Sequence, residues 1–129
     1  MSLVHTLPSW RPSGLADLVI ANLPDGIAVI DDATRYTLWN PQMAALTGES
    51  AADMLGTAVG QRTCLVDGLF GGVLPATFRG EKIAHRDVSY TGRKTHGRCD
   101  TLAWPLWRDG QVVGALLLVR PLSVYAGAG

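Results

Sequence analysis

A chain of 129 residues with 47% hydrophobic side chains suits one globular domain with its own core and excludes a disordered segment. Its 11 basic and 11 acidic side chains cancel, and no Lys/Arg run or basic amphipathic stretch stands out, which argues against nucleic acid or a membrane surface as partner. Two cysteines, Cys64 and Cys99, are too few for a four-ligand zinc site, an iron–sulfur cluster or a secreted disulfide scaffold, so a reduced cytoplasmic setting is expected, with both thiols as packing groups.

Residues 1–12 read as an irregular lead-in with Trp10 and two prolines, and the first three as an expression remnant. The start lacks the charged and apolar regions of a secretory leader. The longest apolar run, 112–119, is far short of the roughly 20 residues of a membrane helix. Ser13 is placed to cap a helix over 14–23, with Leu15, Leu18, Val19 and Leu23 along one stripe. Pro24-Asp25-Gly26 turns the chain. Residues 26–31 and 35–39 are β-branched or aromatic, with Asp32-Ala33-Thr34 between them, and predict a hairpin.

Asn40-Pro41 is a helix-opening pair, because Asn caps well and Pro costs nothing at the first helical position. The helix over 42–46 stops at Thr47-Gly48. Ser50 caps a second short helix, 51–55, ended by Gly56. From 57 to 80 the chain carries Gly60, Gly68, Gly71, Gly72, Pro75 and Gly80. Glycine costs about 1 kcal/mol in a helix and proline about 3, so only a short helix over 65–74 is expected, loosened by these residues.

The last third predicts sheet. Strands over 83–91 and 98–106 flank Gly92-Arg93-Lys94. Asp109-Gly110 signals a tight hairpin whose two central residues need φ > 0. The strand over 111–119 is apolar on both faces, as a central strand covered on each side would be. Pro121 is expected to end it, leaving 123–129 as a flexible tail and 13–122 as the domain. Helix, two strands, short helices and three strands together predict an α+β fold with an antiparallel sheet.

The fragments Leu23-Pro24-Asp25-Gly26-Ile27-Ala28-Val29-Ile30-Asp31, Leu38-Trp39-Asn40-Pro41, Leu46-Thr47-Gly48, Met54-Leu55-Gly56, Gly80-Glu81-Lys82-Ile83, Gly92, Pro105-Leu106, Asp109-Gly110 and Val113-Gly114 come in an order and spacing that resembles the PAS family over about 15–122. The resemblance implies a five-stranded antiparallel sheet with short helices packed on one face and an N-terminal helix. Between sheet and helices it implies a cavity for haem, flavin, a small organic acid or nothing. It further implies a sensory input of a bacterial histidine kinase, diguanylate cyclase or transcription regulator, non-enzymatic, and a homodimer formed through a helix like 14–23. Two departures stand out. Arg120-Pro121-Leu122-Ser123 replaces the family's Asp-Ile-Thr, and residues 66–80 are glycine-rich where many members have a regular helix.

Residue chemistry narrows the signal. The best-known haem-binding members place their histidine before the third strand, where residues 65–80 have none; His85, sharing a face with Ile83 and Asp87, is the nearest substitute. Flavin-reactive relatives set their cysteine in Asn-Cys-Arg-Phe-Leu-Gln, whereas Cys64 stands in Arg62-Thr63-Cys64-Leu65-Val66-Asp67. Both patterns argue against haem and flavin. A small anionic ligand is the preferred pocket occupant, held by Arg86 or Arg98 between apolar walls from Trp39 and Trp104. The plainer reading gives exposed arginines and core tryptophans. Asp31-Asp32 reads as a turn pair rather than a carboxylate dyad. No Ser-His-Asp or metal-ligand spacing surrounds His5, His85 or His96, so no catalytic residue is assigned. A ligand-free dimerisation module and a small α+β enzyme stay open as alternatives.

Overall fold

A computed structural model describes residues 12–60, 72–93 and 95–126. Helix α1 spans Pro12–Asn22, followed by β1 (Gly26–Asp31), β2 (Tyr36–Trp39), α2 (Pro41–Thr47), α3 (Ala51–Met54), α4 (Leu74–Phe78), β3 (Ile83–Thr91), β4 (Thr95–Arg108) and β5 (Gln111–Ala126). All ladders are antiparallel, in the order β2-β1-β5-β4-β3. The fold is therefore the α+β arrangement expected, with β5 central.

Local chemistry sets most element ends. Asn40 is extended at φ −82°, its side chain accepts the Met43 amide, and Pro41 follows at the first helical position. Gly48, at φ 77°, closes α2 in the left-handed conformation. Ser50 caps α3 through the Asp53 amide. In the first hairpin Asp31 Oδ1 accepts the amides of Ala33 and Arg35, so this carboxylate satisfies a turn, as expected. Asp109 (φ 51°) and Gly110 (φ 79°) form the tight turn between β4 and β5.

Four expectations are corrected. Helix α1 begins at Pro12, so Ser13 lies inside it rather than capping it; proline suits a first turn. Most of the expected 65–74 helix lies outside the described residues, and the helix seen is α4, with Pro75 in its first turn. Pro75 opens a helix there instead of loosening one, since its missing N–H has no partner to lose.

Pro121 does not end β5, which continues to Ala126. The last β1 partner is Gly26, opposite Val119, so no ladder bond to β1 is asked of Pro121. On the other side the β4 register shifts between Arg98 and Cys99, the kind of irregularity where a strand tolerates proline. Part of the expected 123–129 tail is thus strand, and 127–129 lie outside the described residues. Finally, β5 is not covered on both faces. Ala115, Leu117 and Val119 are buried, whereas Leu116 and Leu118 between them are half-buried.

The core lies between the helices and one face of the sheet. Ala28, Ile30, Met43, Met54, Leu74, Tyr90, Cys99, Ala103, Leu117 and Val119 form it. Each fully buried large aliphatic contributes about 1.5–3 kcal/mol. Tyr36 and Trp39 meet edge to face at 5.2 Å and 81°. The turn between β3 and β4 closes on the end of α2. The Arg93 amide donates to Thr47 O at 2.6 Å, and the Thr95 hydroxyl donates to Leu46 O. These two bonds satisfy helix-end carbonyls that α2 cannot pair internally.

Candidate functional site

Two regions of the domain carry unspent chemistry: the layer between sheet and helices, and the opposite face of the sheet with α1 beside it.

In the layer, Tyr90 and Cys99 are diagonal neighbours on adjacent strands, since Val88 pairs Cys99 and Tyr90 pairs Gly97. Both are buried, and the Tyr90 hydroxyl lies beside the Thr95 side chain without a hydrogen bond of full geometry. Burial pushes the Cys99 thiol up to about 11, with Asp100 adding and Arg98 opposing. Burial raises Tyr90 as well, helped by Cys99 and opposed by Thr95. Burial thus favours the neutral form of both groups, which suits Cys99 to packing. Cys64 lies outside the described residues.

The other buried polar groups serve structure. The Trp39 indole donates to Glu49 O at 2.9 Å. The Glu49 side chain is 3% exposed and faces Arg93 at 3.8 Å. Asn40, 3% exposed, accepts the Ile27 and Met43 amides and donates to Ile20 O and Asp25 O. The sequence marked Asn40 as a cap only; its donor bonds reach residues 15 and 20 positions away.

Among the described residues two shallow grooves flank α2. One, of about 170 Å³, lies between Asp17, Ile20 and Ala21 of α1 and residues 38–41. The other, of about 210 Å³, is lined by Pro24, Gln42, Ala45, Leu46 and Pro121, and Gln42 Oε1 is buried without a partner. Both are below the ~300–1,000 Å³ of ordinary ligand pockets.

The residues expected to line a pocket are not brought together. Trp39 pairs with Ala28 and sits in the core at 7% exposure, whereas Trp104 pairs with Leu116 on the opposite face. Lys82 Nζ lies 4.1 Å from the centroid of the Trp104 ring. Arg86 and Arg98 are exposed. Arg98 Nε reaches Asp87 Oδ1 at 2.6 Å, its guanidinium also donates to Asp87 O, and the Asp87 amide donates to Asp100.

That cluster locks a bulge in β3, where the register shifts between His85 and Val88 and Asp87 takes φ 52°. The bulge corrects the expected face. His85, half-buried, pairs with Thr101, but Val88 rather than Asp87 takes the next inward place, opposite Cys99. Among the described residues no cluster of three or more His, Cys, Asp or Glu is placed to hold a metal.

The α1 stripe faces solvent. Leu15 and Leu18 are 54% exposed, Val19 50% and Leu23 36%, and α1 makes only slight contact with other elements. The outer sheet face is also apolar, with Val29, Leu102, Leu116 and Leu118 half-buried and Trp104 exposed. The double-sided apolar pattern of β5 was the sequence signal for this surface.

A five-stranded antiparallel sheet with short helices on one face and a loosely attached leading helix defines a class of small α+β domains. The match of this chain to the PAS domain family model covers residues 17–85. The chain belongs to the PAS domain family, a family of sensory signalling modules.

Solved structures agree on the fold. The PAS domain of a Colwellia psychrerythraea protein is 19% identical, with a TM-score of 0.69 over 87% of this chain and 98% of that one. The PAS domain of nitrogen regulation protein NR(II) from Vibrio parahaemolyticus is 20% identical, at 0.62 over 84% and 98%. A domain of a Geobacter sulfurreducens sensory box sensor histidine kinase/response regulator is 21% identical, at 0.66 over 90% and 99%. No curated protein matches the chain. Among the described residues no helix is long and apolar enough to cross a membrane.

Proposed function

We propose that this PAS domain is a non-catalytic sensory input of a cytoplasmic signalling protein, and that it works as a homodimer. The carrying observation is a pair of apolar surfaces that the described residues leave uncovered, the α1 stripe and the outer face around Leu116 and Leu118. Large contiguous apolar surfaces mark association sites. A two-fold dimer would bury each α1 against the other copy, using both surfaces twice. A signal that shifts the balance between two dimer arrangements would be read by an output domain. Light scattering at tens of micromolar tests this directly: a dimer mass is expected, and a monomer sinks the proposal.

A second reading, that the layer beneath the helices takes a small organic molecule, is favoured by the buried Tyr90 hydroxyl, whose approach to the Thr95 side chain falls short of a full hydrogen bond. An unsatisfied buried donor costs about 1–3 kcal/mol, which a ligand acceptor would relieve. Haem and flavin stay disfavoured on the sequence, which has no histidine over 65–80 and lacks the flavin-reactive cysteine's setting around Cys64. An absorption spectrum from 300 to 700 nm (roughly the range of such cofactor bands) with native mass spectrometry tests it. A mass excess without a visible band is expected from this reading, and the bare chain mass counts against it.

A further inference from the structure

We infer that Asn40 is a positioning residue that latches α1 to the body of the domain. Its carboxamide uses its full hydrogen-bonding capacity. Oδ1 accepts the amides of Ile27 and Met43, both at 2.9 Å, while Nδ2 donates to Ile20 O at 3.0 Å and Asp25 O at 3.1 Å. One buried side chain therefore touches the last turn of α1, the turn after it, the first residues of β1 and the first turn of α2.

The residue type supports this role. Serine, threonine, aspartate and asparagine all cap helices, because each offers an acceptor. Only asparagine adds two N–H donors, and here both go to carbonyls at the end of α1 and just beyond. Among the described residues α1 makes only slight contact with the other elements. Leu15, Leu18 and Val19 face outward; Ile20 and Ala21 are half-buried against residues 38–41; and just beyond the helix Asp25 meets Arg120 at 3.3 Å, with the arginine mostly exposed. Pulling α1 away would take the Ile20 acceptor from Nδ2, leave it on Asp25 O alone and let the carboxamide shift, loosening Ile27 and Met43. The coupling is reciprocal by necessity.

Backbone amide exchange on the full chain tests the latch, at two protein concentrations tenfold apart so that protection by a dimer partner is separated. Asn40→Ser keeps an acceptor for the α2 cap and removes the donors. Exchange at residues 18–22 is expected to quicken about tenfold or more, as two lost hydrogen bonds imply, while residues 43–47 stay within about threefold. Unchanged exchange in α1 overturns the inference, and so does equal loss of protection in α1, β1 and α2.

Should the serine variant fail to fold, Ala21→Gly probes the same link from the other end, since glycine loosens a helix from within. The Ile27 and Met43 amides are then expected to exchange about threefold faster or more. No change at those two amides overturns the latch. The comparison of the two concentrations keeps either result apart from dimerisation.

Discussion

Asn40 Oδ1 accepts the backbone amide of Ile27, thirteen residues earlier, at 2.9 Å, and the same oxygen caps α2 through Met43. Replacing it with alanine strands two buried donors and two carbonyls at once. Asn40→Ala is expected to destabilise the domain by about 2–4 kcal/mol, from a lost cap together with unsatisfied backbone groups. Urea denaturation measures this; a loss under about 1 kcal/mol would mean that water replaces the side chain.

Leu18→Glu and Leu118→Glu place a charge on each of the two surfaces proposed to meet in the dimer. Both variants should be monomeric by sedimentation equilibrium, with at least a tenfold weaker association each. Circular dichroism should stay that of the parent, because Leu18 is exposed and Leu118 half-buried. Dissociation by one variant alone would leave α1 and the sheet face as separate surfaces.

Gln42→Leu removes a buried oxygen that has no partner and extends the apolar lining of Pro24, Ala45, Leu46 and Pro121. A gain of about 0.5–2 kcal/mol is expected, the reverse of the usual sign for a polar-to-apolar change at a half-buried site. Thermal denaturation reads it as a higher Tm. A lower Tm would show that the amide does bond in solution.

The Cys99 thiol, moved from 9.0 to about 11 by burial, ties stability to alkaline pH. The fold disfavours the thiolate, so the unfolded chain releases its proton first. The contribution is fully present below about pH 9 and is lost as pH rises through about 11, by up to about 2 kcal/mol. Tyr90, also raised, acts in the same direction at higher pH. Cys99→Ala should flatten the fall of the urea midpoint between pH 9.0 and about 11, the unfolded and folded values of the thiol. An equally steep fall in the variant would contradict this assignment.

Gly97 lies where β4 and β5 approach closely near the bulge. A Cβ there would overlap the carbonyl oxygen of Ser123 and lie 3.1 Å from the Tyr90 ring. Gly97→Ala is therefore expected to cost more than about 2 kcal/mol, as overpacking against backbone does. Differential scanning calorimetry reads this, and a near-neutral result would show that β5 gives way locally past Pro121.

Elements bounded by chemistry between adjacent residues were legible in the chain. Strand β1 (26–31) and strand β3 (83–91) have the expected bounds. Asn40-Pro41 and Ser50 open helices, and Asp109-Gly110 turns a hairpin, because cap and turn hydrogen bonds form within a few residues. The family fragments pointed to the fold for the same reason, each marking a local turn or cap. Pro121 was misread because proline's cost in a strand depends on the neighbour, and β1 has ended by that point.

The candidate site was less legible. Which way a strand residue points is a matter of parity, and the single bulge at Asp87 reversed it between His85 and Val88. Arg98 could not be separated from a ligand-binding arginine until Asp87 and Asp100 were seen around it. The stripe on α1 was visible as a pattern, but its exposure depends on what packs against it. The sequence alone therefore determined the caps at Asn40 and Ser50, the Asp109-Gly110 turn, the order of elements and the family of this protein, since those rest on interactions among chain neighbours. Tertiary structure alone decided which face each side chain takes and where the Asn40 donors go, since those rest on partners brought close only by the closed sheet.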